Sequence, residues 1–172
     1  VSQRLVDACG AADATLDLTP VGSTRIMTRI RQLQAEDASV PVAGEGNGGI
    51  IFPNYRLTRD GAYTGARFLE LVADASASDV VEPYAGYYNV RVNVGYESEA
   101  EREAVLAAAE EYARDASADL TTVDGFRLDY GDAWVLARPS GTEPVVRVYA
   151  EATSEERARE LADSFADALR EA

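Results

Sequence analysis

The pattern of hydrophobic residues changes once along this chain of 172 residues, and that change constrains the fold more than any other feature. In the first part, short apolar runs alternate with stretches that have the period of a helix. Alternating strands and helices are typical of an α/β layer with parallel strands. We predict helices over 3–11, 26–33 and 60–73, an apolar run over 16–21, and strands over 40–43 and 50–52. Asp60 is predicted to cap the third helix, which would bury an apolar face that includes Leu69.

A short polar stretch, 74–79, separates this part from the rest of the chain, and we predict a hinge near 77–83. Beyond it, residues 88–94 alternate between apolar and polar side chains, as a half-buried strand does. Ser98, in a capping box with Glu101, and Ser154 are predicted to begin two helices. Further strands are predicted over 121–123, 125–128, 133–137 and 145–150.

The two patterns together predict a fold of two domains. We expect an α/β three-layer domain (partial) over residues 1–78. We expect a small α+β domain with an antiparallel sheet and two helices over residues 79–172.

The composition is strongly acidic, with 30 Asp and Glu against 16 basic residues and a net charge of −14. This balance argues against nucleic acid or an anionic membrane as a partner, because both require clustered cations. The chain has no His, which excludes His-dependent triads and His-ligated metals within it. Its single cysteine, Cys9, excludes an intrachain disulfide, and we expect it to be a small core residue. No apolar run approaches the ~18 residues of a membrane span, so we expect a cytoplasmic location.

All the basic residues are Arg, and there is no Lys. Arg keeps its charge and pairs bidentately with carboxylates. Net negative charge costs self-repulsion, which about 1 M salt screens. We therefore expect a surface adapted to a salt-rich cytoplasm. The alternative is a moderately acidic mesophilic protein that lacks Lys.

The segment Arg138–Pro144, with sequence RPSGTEP, joins two apolar strands, and Arg147 lies on the second of them. If these strands pair, both arginines lie near the base of the loop, where their forked donors suit phosphate oxygens. Ser140 and Thr142 add hydroxyl donors, and Gly141 allows close approach of backbone amides. The pattern favours an anion-binding loop, with a plain hairpin turn and solvated arginines as the alternative.

The second candidate is the loop Gly44–Gly49, with sequence GEGNGG. Its spacing differs from the dinucleotide fingerprint, and an apolar strand rather than a helix follows it. Glu45 would repel a phosphate but accepts hydrogen bonds from neighbouring hydroxyls, and Asn47 both donates and accepts. The pair is suited to a sugar, and a flexible turn is the alternative.

Two segments resemble one known family. RPSGTEPVVRVYAE is similar to the phosphate-binding loop of the α-D-phosphohexomutases, and GEGNGG followed by IIFP and RDG is similar to their sugar-recognition loop in its archaeal form. The resemblance implies that Glu45 and Asn47 contact ring hydroxyls. Val21-Gly22 resembles a further family loop and makes Arg25 a possible substrate contact, although a solvated surface charge is the alternative. The residues that would hold the non-reacting phosphate are Arg138, Ser140, Gly141, Thr142 and Arg147.

The resemblance also implies a reaction. Such enzymes interconvert hexose 1-phosphate and hexose 6-phosphate through a phosphoserine and a hexose 1,6-bisphosphate intermediate, with Mg²⁺. The family's phosphoserine loop and its Mg²⁺-binding aspartate loop do not occur in this sequence. We therefore expect a C-terminal fragment that works with upstream domains of the same chain, contains no catalytic residue and is inactive alone. Mannose or glucose phosphates are the expected substrates; a phosphoglucosamine mutase, or a non-catalytic sugar-phosphate-binding module, is the alternative.

Overall fold

The computed structural model describes residues 1–46 and 48–172. It divides into two compact units, Val1–Ala85 and Gly86–Ala172, and the division lies a few residues beyond the predicted boundary at 78. Each unit is described here by itself. In the part of the chain described, none of the helices is both long enough and apolar enough to cross a bilayer.

The first unit contains four helices and a small sheet. The helices are α1 (Gln3–Ala11), α2 (Ser23–Ala35), α3 (Gly61–Leu71) and α4 (Ala77–Val81). The strands are β1 (Ala43–Gly44), β2 (Ile50–Phe52) and β3 (Arg56–Arg59). Ile26 and Ile30 of α2 pack with Ile51 of β2 in a small buried cluster, as the helical spacing of the two isoleucines predicts.

Two predictions for this unit are wrong, and one apolar run has no regular structure. The described strands pair antiparallel, in the order β1-β2-β3, because β2 and β3 are joined by a tight turn rather than a crossover helix. The apolar residues of α1 and α3 are not buried: Leu69 is 68% exposed, and Cys9 is only partly buried. The apolar run over 16–21 forms no regular strand.

The predicted hinge near 77–83 stays a prediction, but its residues have regular local structure. These residues form α4 and a 3₁₀ turn over Glu82–Tyr84. The Ser76 hydroxyl accepts a hydrogen bond from the Asp79 amide at 3.2 Å, and the Asp79 carboxylate accepts one from the Ser76 amide at 3.1 Å. This reciprocal capping box starts a helix in a stretch whose small polar composition indicated a linker.

The second unit has the predicted α+β architecture. Its helices are α5 (Glu99–Asp115) and α6 (Glu155–Arg170). Its strands are β4 (Tyr88–Gly95), β5 (Asp119–Thr121), β6 (Phe126–Asp129), β7 (Ala133–Pro139) and β8 (Val145–Ala152). The five strands form one antiparallel sheet in the order β4-β8-β7-β6-β5.

Both helices cover one face of this sheet. Alternate residues of β7 and β8, such as Val135 and Val148, are fully buried against α5 and α6. Tyr112 of α5 stacks on the buried ring of Phe165 of α6, with the ring centroids 4.4 Å apart. The intervening residues of β7 and β8 therefore point to the opposite face of the sheet. Arg147 is one of these intervening residues.

Candidate functional site

Arg138 and Arg147 lie directly opposite each other at the loop end of the β7–β8 hairpin. Both side chains are largely enclosed, with 18% of each exposed. The alternation of the antiparallel strands places both guanidinium groups on the face of the sheet opposite α5 and α6. Two forked and permanently charged donors are therefore held side by side at the base of the loop.

The loop between the strands is ordered by Ser140. Its amide donates to the Val145 carbonyl at 2.9 Å, which continues the ladder by one residue. Its hydroxyl accepts hydrogen bonds from the amides of Thr142 at 3.3 Å and Glu143 at 3.2 Å. A Cβ added to Gly141 would meet no atom within 4 Å, so one side of the loop is open. The structure thus brings the five predicted phosphate-binding residues together at one end of one hairpin.

Carboxylates accompany both arginines. Asp124 Oδ2 lies 3.6 Å from Arg138 Nη1, and Glu143 forms an ion pair with Arg147 Nη2. The hydrogen bond that Arg147 donates to the Glu143 carboxylate, with a smaller contribution from the Tyr149 side chain, raises the pKa of the Arg147 guanidinium above its usual value. Arg147 is therefore cationic at neutral pH.

Two neighbours of the arginines were missed in the sequence. Gly125 has φ +92°, and a Cβ there would lie 2.3 Å from the Ala137 carbonyl oxygen and 2.6 Å from the Arg138 Cβ. Gly125 therefore allows the turn before β6 to press against Arg138. The dipeptide Asp124-Gly125 is a turn signal that could have indicated this position.

The second missed neighbour is Tyr149, which lies between two cations. Its ring centroid is 5.8 Å from the guanidinium carbon of Arg138 on one side and of Arg91 on the other. Arg91 Nε also donates to Asn93 Oδ1 at 3.2 Å. The face of the sheet opposite α5 and α6 therefore carries several arginines next to the loop, in a chain whose net charge is strongly negative.

The glycine loop lies in the first unit, between β1 and β2. The Glu45 side chain is 11% exposed; its Oε1 accepts from the Gly22 amide at 3.1 Å and its Oε2 contacts Arg59 Nη1 at 3.3 Å. Gly44 leaves room for Ile50, whose Cδ1 would lie 2.9 Å from an added Cβ. Asn47, the other predicted sugar-binding residue, lies outside the described residues.

Arg25 and Asp60 lie at the N-terminal ends of two helices, Arg25 in the first turn of α2 and Asp60 just before α3. Arg25 is exposed in the first turn of α2, and its amide donates to the Gly22 carbonyl at 3.0 Å. The Asp60 side chain accepts from the Tyr63 amide at 2.9 Å, which confirms that it caps α3. That hydrogen bond, with a smaller contribution from Arg56, holds the pKa of the Asp60 carboxyl below its usual value.

Residues 1–46 and 48–172 contain no group of three or more His, Cys, Asp or Glu side chains arranged to hold a metal ion.

Sequence profiles of one family match almost the whole chain. The profile described as "Phosphoglucomutase/phosphomannomutase, alpha/beta/alpha domain III" matches residues 1–87, and the profile described as "Phosphoglucomutase/phosphomannomutase, C-terminal domain" matches residues 88–168. These matches confirm the resemblance drawn from the two loops and the predicted pair of fold classes.

Individual relatives agree with the profiles. The phosphoglucomutase/phosphomannomutase of Thermococcus kodakarensis is 38% identical over 133 residues, which are 76% of this chain and 29% of that protein. A Methanopyrus kandleri protein named "Probable phosphoglucosamine mutase" is 39% identical over 154 residues, or 88% of this chain and 33% of the relative. The chain therefore spans about a third of the length of these curated relatives.

Among solved structures, a phosphoglucomutase/phosphomannomutase family protein from Burkholderia thailandensis is similar at a TM-score of 0.71 and 28% identity. The similarity covers 89% of this chain and 32% of that one. A Thermus thermophilus structure covers the whole chain at a TM-score of 0.68 and 24% identity, which shows the fold.

Proposed function

This chain belongs to the phosphoglucomutase/phosphomannomutase family, and from that premise we propose that it is the sugar-phosphate-binding part of a phosphohexomutase. The whole enzyme would interconvert hexose 1-phosphate and hexose 6-phosphate of mannose or glucose. A phosphoserine would give its phosphate to the sugar, and the resulting hexose 1,6-bisphosphate would return the other one.

The observation that carries the proposal is the placement of Arg138 opposite Arg147. Two guanidinium groups on neighbouring strands can each donate two parallel hydrogen bonds to phosphate oxygens. Because β7 and β8 fix both side chains, little ordering remains to be done when the ligand binds. Together with Ser140, Gly141 and Thr142, they would hold the phosphate that is not reacting.

The glycine loop would contact the sugar. The Glu45 carboxylate, which accepts hydrogen bonds from the Gly22 amide and from Arg59, would also accept them from ring hydroxyls. Asn47 would add a donor and an acceptor, and Arg25 is the third candidate contact. Hydroxyls common to both orientations of the sugar would be recognised here, which a reversible mutase requires.

The transfer step would need groups that are not in this sequence. The resemblance assigns the phosphoserine and the Mg²⁺ ligands to other domains of a longer chain, where the metal would stabilise charge on the transferred phosphate. We therefore expect no mutase turnover from the 172-residue chain alone, and turnover by the pure chain would contradict this assignment.

A phosphoglucosamine mutase is the second candidate, because a relative of nearly the same identity carries that name. A non-catalytic sugar-phosphate-binding module is the third. Phosphate binding by the loop is common to all of them, so the sugar must be tested separately.

The experiment is calorimetric titration of the 172-residue chain with glucose 6-phosphate, mannose 6-phosphate, glucosamine 6-phosphate and unphosphorylated glucose. All three phosphates should bind, and their ranking should identify the preferred sugar. Arg147→Met should lower affinity for each phosphate about tenfold or more, because a charge-assisted hydrogen bond is lost.

The matched control is Arg170→Met, which removes an exposed arginine that is ion-paired to Asp167 on α6. This variant should bind like the parent chain, and circular dichroism should show that both variants fold. Equal affinities for the parent chain and Arg147→Met would refute the proposed site.

A further inference from the structure

Glu143 forms an ion pair with the Arg147 guanidinium, the same group that would bind phosphate in the proposed function. Glu143 lies in the loop itself, four residues before Arg147, and contacts the Nη2 atom. The Glu143 side chain remains 55% exposed, so it can leave this position without disturbing the core. Its amide is held separately by the Ser140 hydroxyl at 3.2 Å, so the loop backbone does not depend on the carboxylate.

The pairing is incomplete on the side of the arginine. Arg147 Nε is buried and, within the described residues, has no hydrogen-bond partner. A guanidinium pairs best when Nε and Nη2 both donate to two oxygens of one anion. Because Glu143 engages Nη2, an anion that reaches both atoms would be the better partner.

We propose that Glu143 is an internal counter-ion that a phosphate must displace from Arg147. Glu143 thereby lowers the affinity of the loop for phosphate. This inference rests on the proposed function of the loop. When phosphate displaces Glu143, the ion pair between Glu143 and Arg147 is lost. The released carboxylate also stays close enough to repel the bound phosphate dianion. A low affinity is suited to a reversible reaction in which the same loop must release its phosphate in every cycle.

The proposal makes Glu143 a tuning residue and not a ligand. It predicts that removing the negative charge tightens binding, whereas a residue that merely orients Arg147 would weaken binding when removed. The sign of the change therefore separates the two roles, whatever its size.

The test is titration of the 172-residue chain with inorganic phosphate at constant salt, comparing Glu143→Gln and Glu143→Ala with the parent. Both variants should bind phosphate roughly three- to tenfold more tightly. Glu155→Gln is the matched control, because it removes the same charge from an i,i+4 pair with Arg159 at the start of α6, beyond the far end of β8. The control should bind like the parent.

A second readout follows Arg147 directly. Its Nε–Hε signal in ¹⁵N NMR should move on addition of phosphate in the parent, and the midpoint of that change should fall to lower phosphate concentration in Glu143→Gln. Unchanged or weaker binding in both Glu143 variants, with a parent that binds normally, would overturn the inference alone. A parent that shows no phosphate binding would overturn the proposed function instead.

Discussion

Gly125 offers a sharp test of how the fold supports the phosphate loop. Alanine at this position would be held at φ +92°, where an L-residue costs about 1–2 kcal/mol. Its Cβ would also lie 2.3 Å from the Ala137 carbonyl oxygen and 2.6 Å from Arg138 Cβ. Neither atom is the end of a flexible side chain, so the backbone of β7 must move, at a cost of roughly 1–3 kcal/mol more.

Gly131 provides the matched control at the other end of β6. It has φ +90°, and an added Cβ would meet no atom within 4 Å. Gly131→Ala should therefore cost about 1–2 kcal/mol, from conformation alone. Gly125→Ala should cost about 2–5 kcal/mol, a large part of the stability of a small domain.

The assay is urea unfolding of both variants in concentrated salt, with phosphate affinity measured on the folded proteins. Gly125→Ala should lose stability and also bind phosphate more weakly, because the displaced segment carries Arg138. Gly131→Ala should bind like the parent. Equal losses of stability in the two variants would refute the reasoning from close approach, and unchanged phosphate binding by Gly125→Ala would refute its link to the loop.

Three further results are expected. Phe165→Ala should destabilise the second unit by about 3–5 kcal/mol, because the buried ring stacks on Tyr112, and an unfolding curve within 1 kcal/mol of the parent would contradict this. Urea unfolding from ~0.1 M to multimolar salt should show rising stability, because salt screens the net charge of −14; a flat series would remove the proposal of a salt-adapted surface. The hydrogen bond from the Tyr63 amide lowers the pKa of Asp60. The stability that the ionised Asp60 carboxylate contributes should therefore be fully present above pH 3.8, the ordinary pKa, and should vanish as the pH falls through the lowered pKa. The stability difference between the parent and Asp60→Ala should therefore shrink in acid, and a difference independent of pH would contradict that sign.

Local signals in the sequence predicted the second unit well. Ser98 and Ser154 accept hydrogen bonds from the third helical residue that follows each, as helix caps do. The alternation over 88–94 correctly predicts the strand β4 of the sheet. The loop between the two apolar strands β7 and β8 correctly predicts that Arg138 lies near Arg147. These features depend on residues close in sequence, where propensity and turn chemistry act directly.

The first unit was predicted less well, because its errors concern partners distant in sequence. The period of α3 indicates an amphipathic helix but not what covers its apolar face, and Leu69 is largely exposed. Strand direction is likewise set by pairing and not by the residues of one strand. In the second unit, the contact of Gly125 with Arg138 joins segments whose approach only the folded sheet reveals.

The central claim is that the loop between β7 and β8 binds the phosphate of a phosphorylated hexose. Its most direct test is a backbone-amide NMR titration of the 172-residue chain with glucose 6-phosphate in high salt, with glucose as control. The account predicts phosphate-dependent shifts of the residues in 138–147, which glucose does not reproduce. No shift there at tens of millimolar ligand, also at the lowest salt that keeps the chain folded, would contradict it.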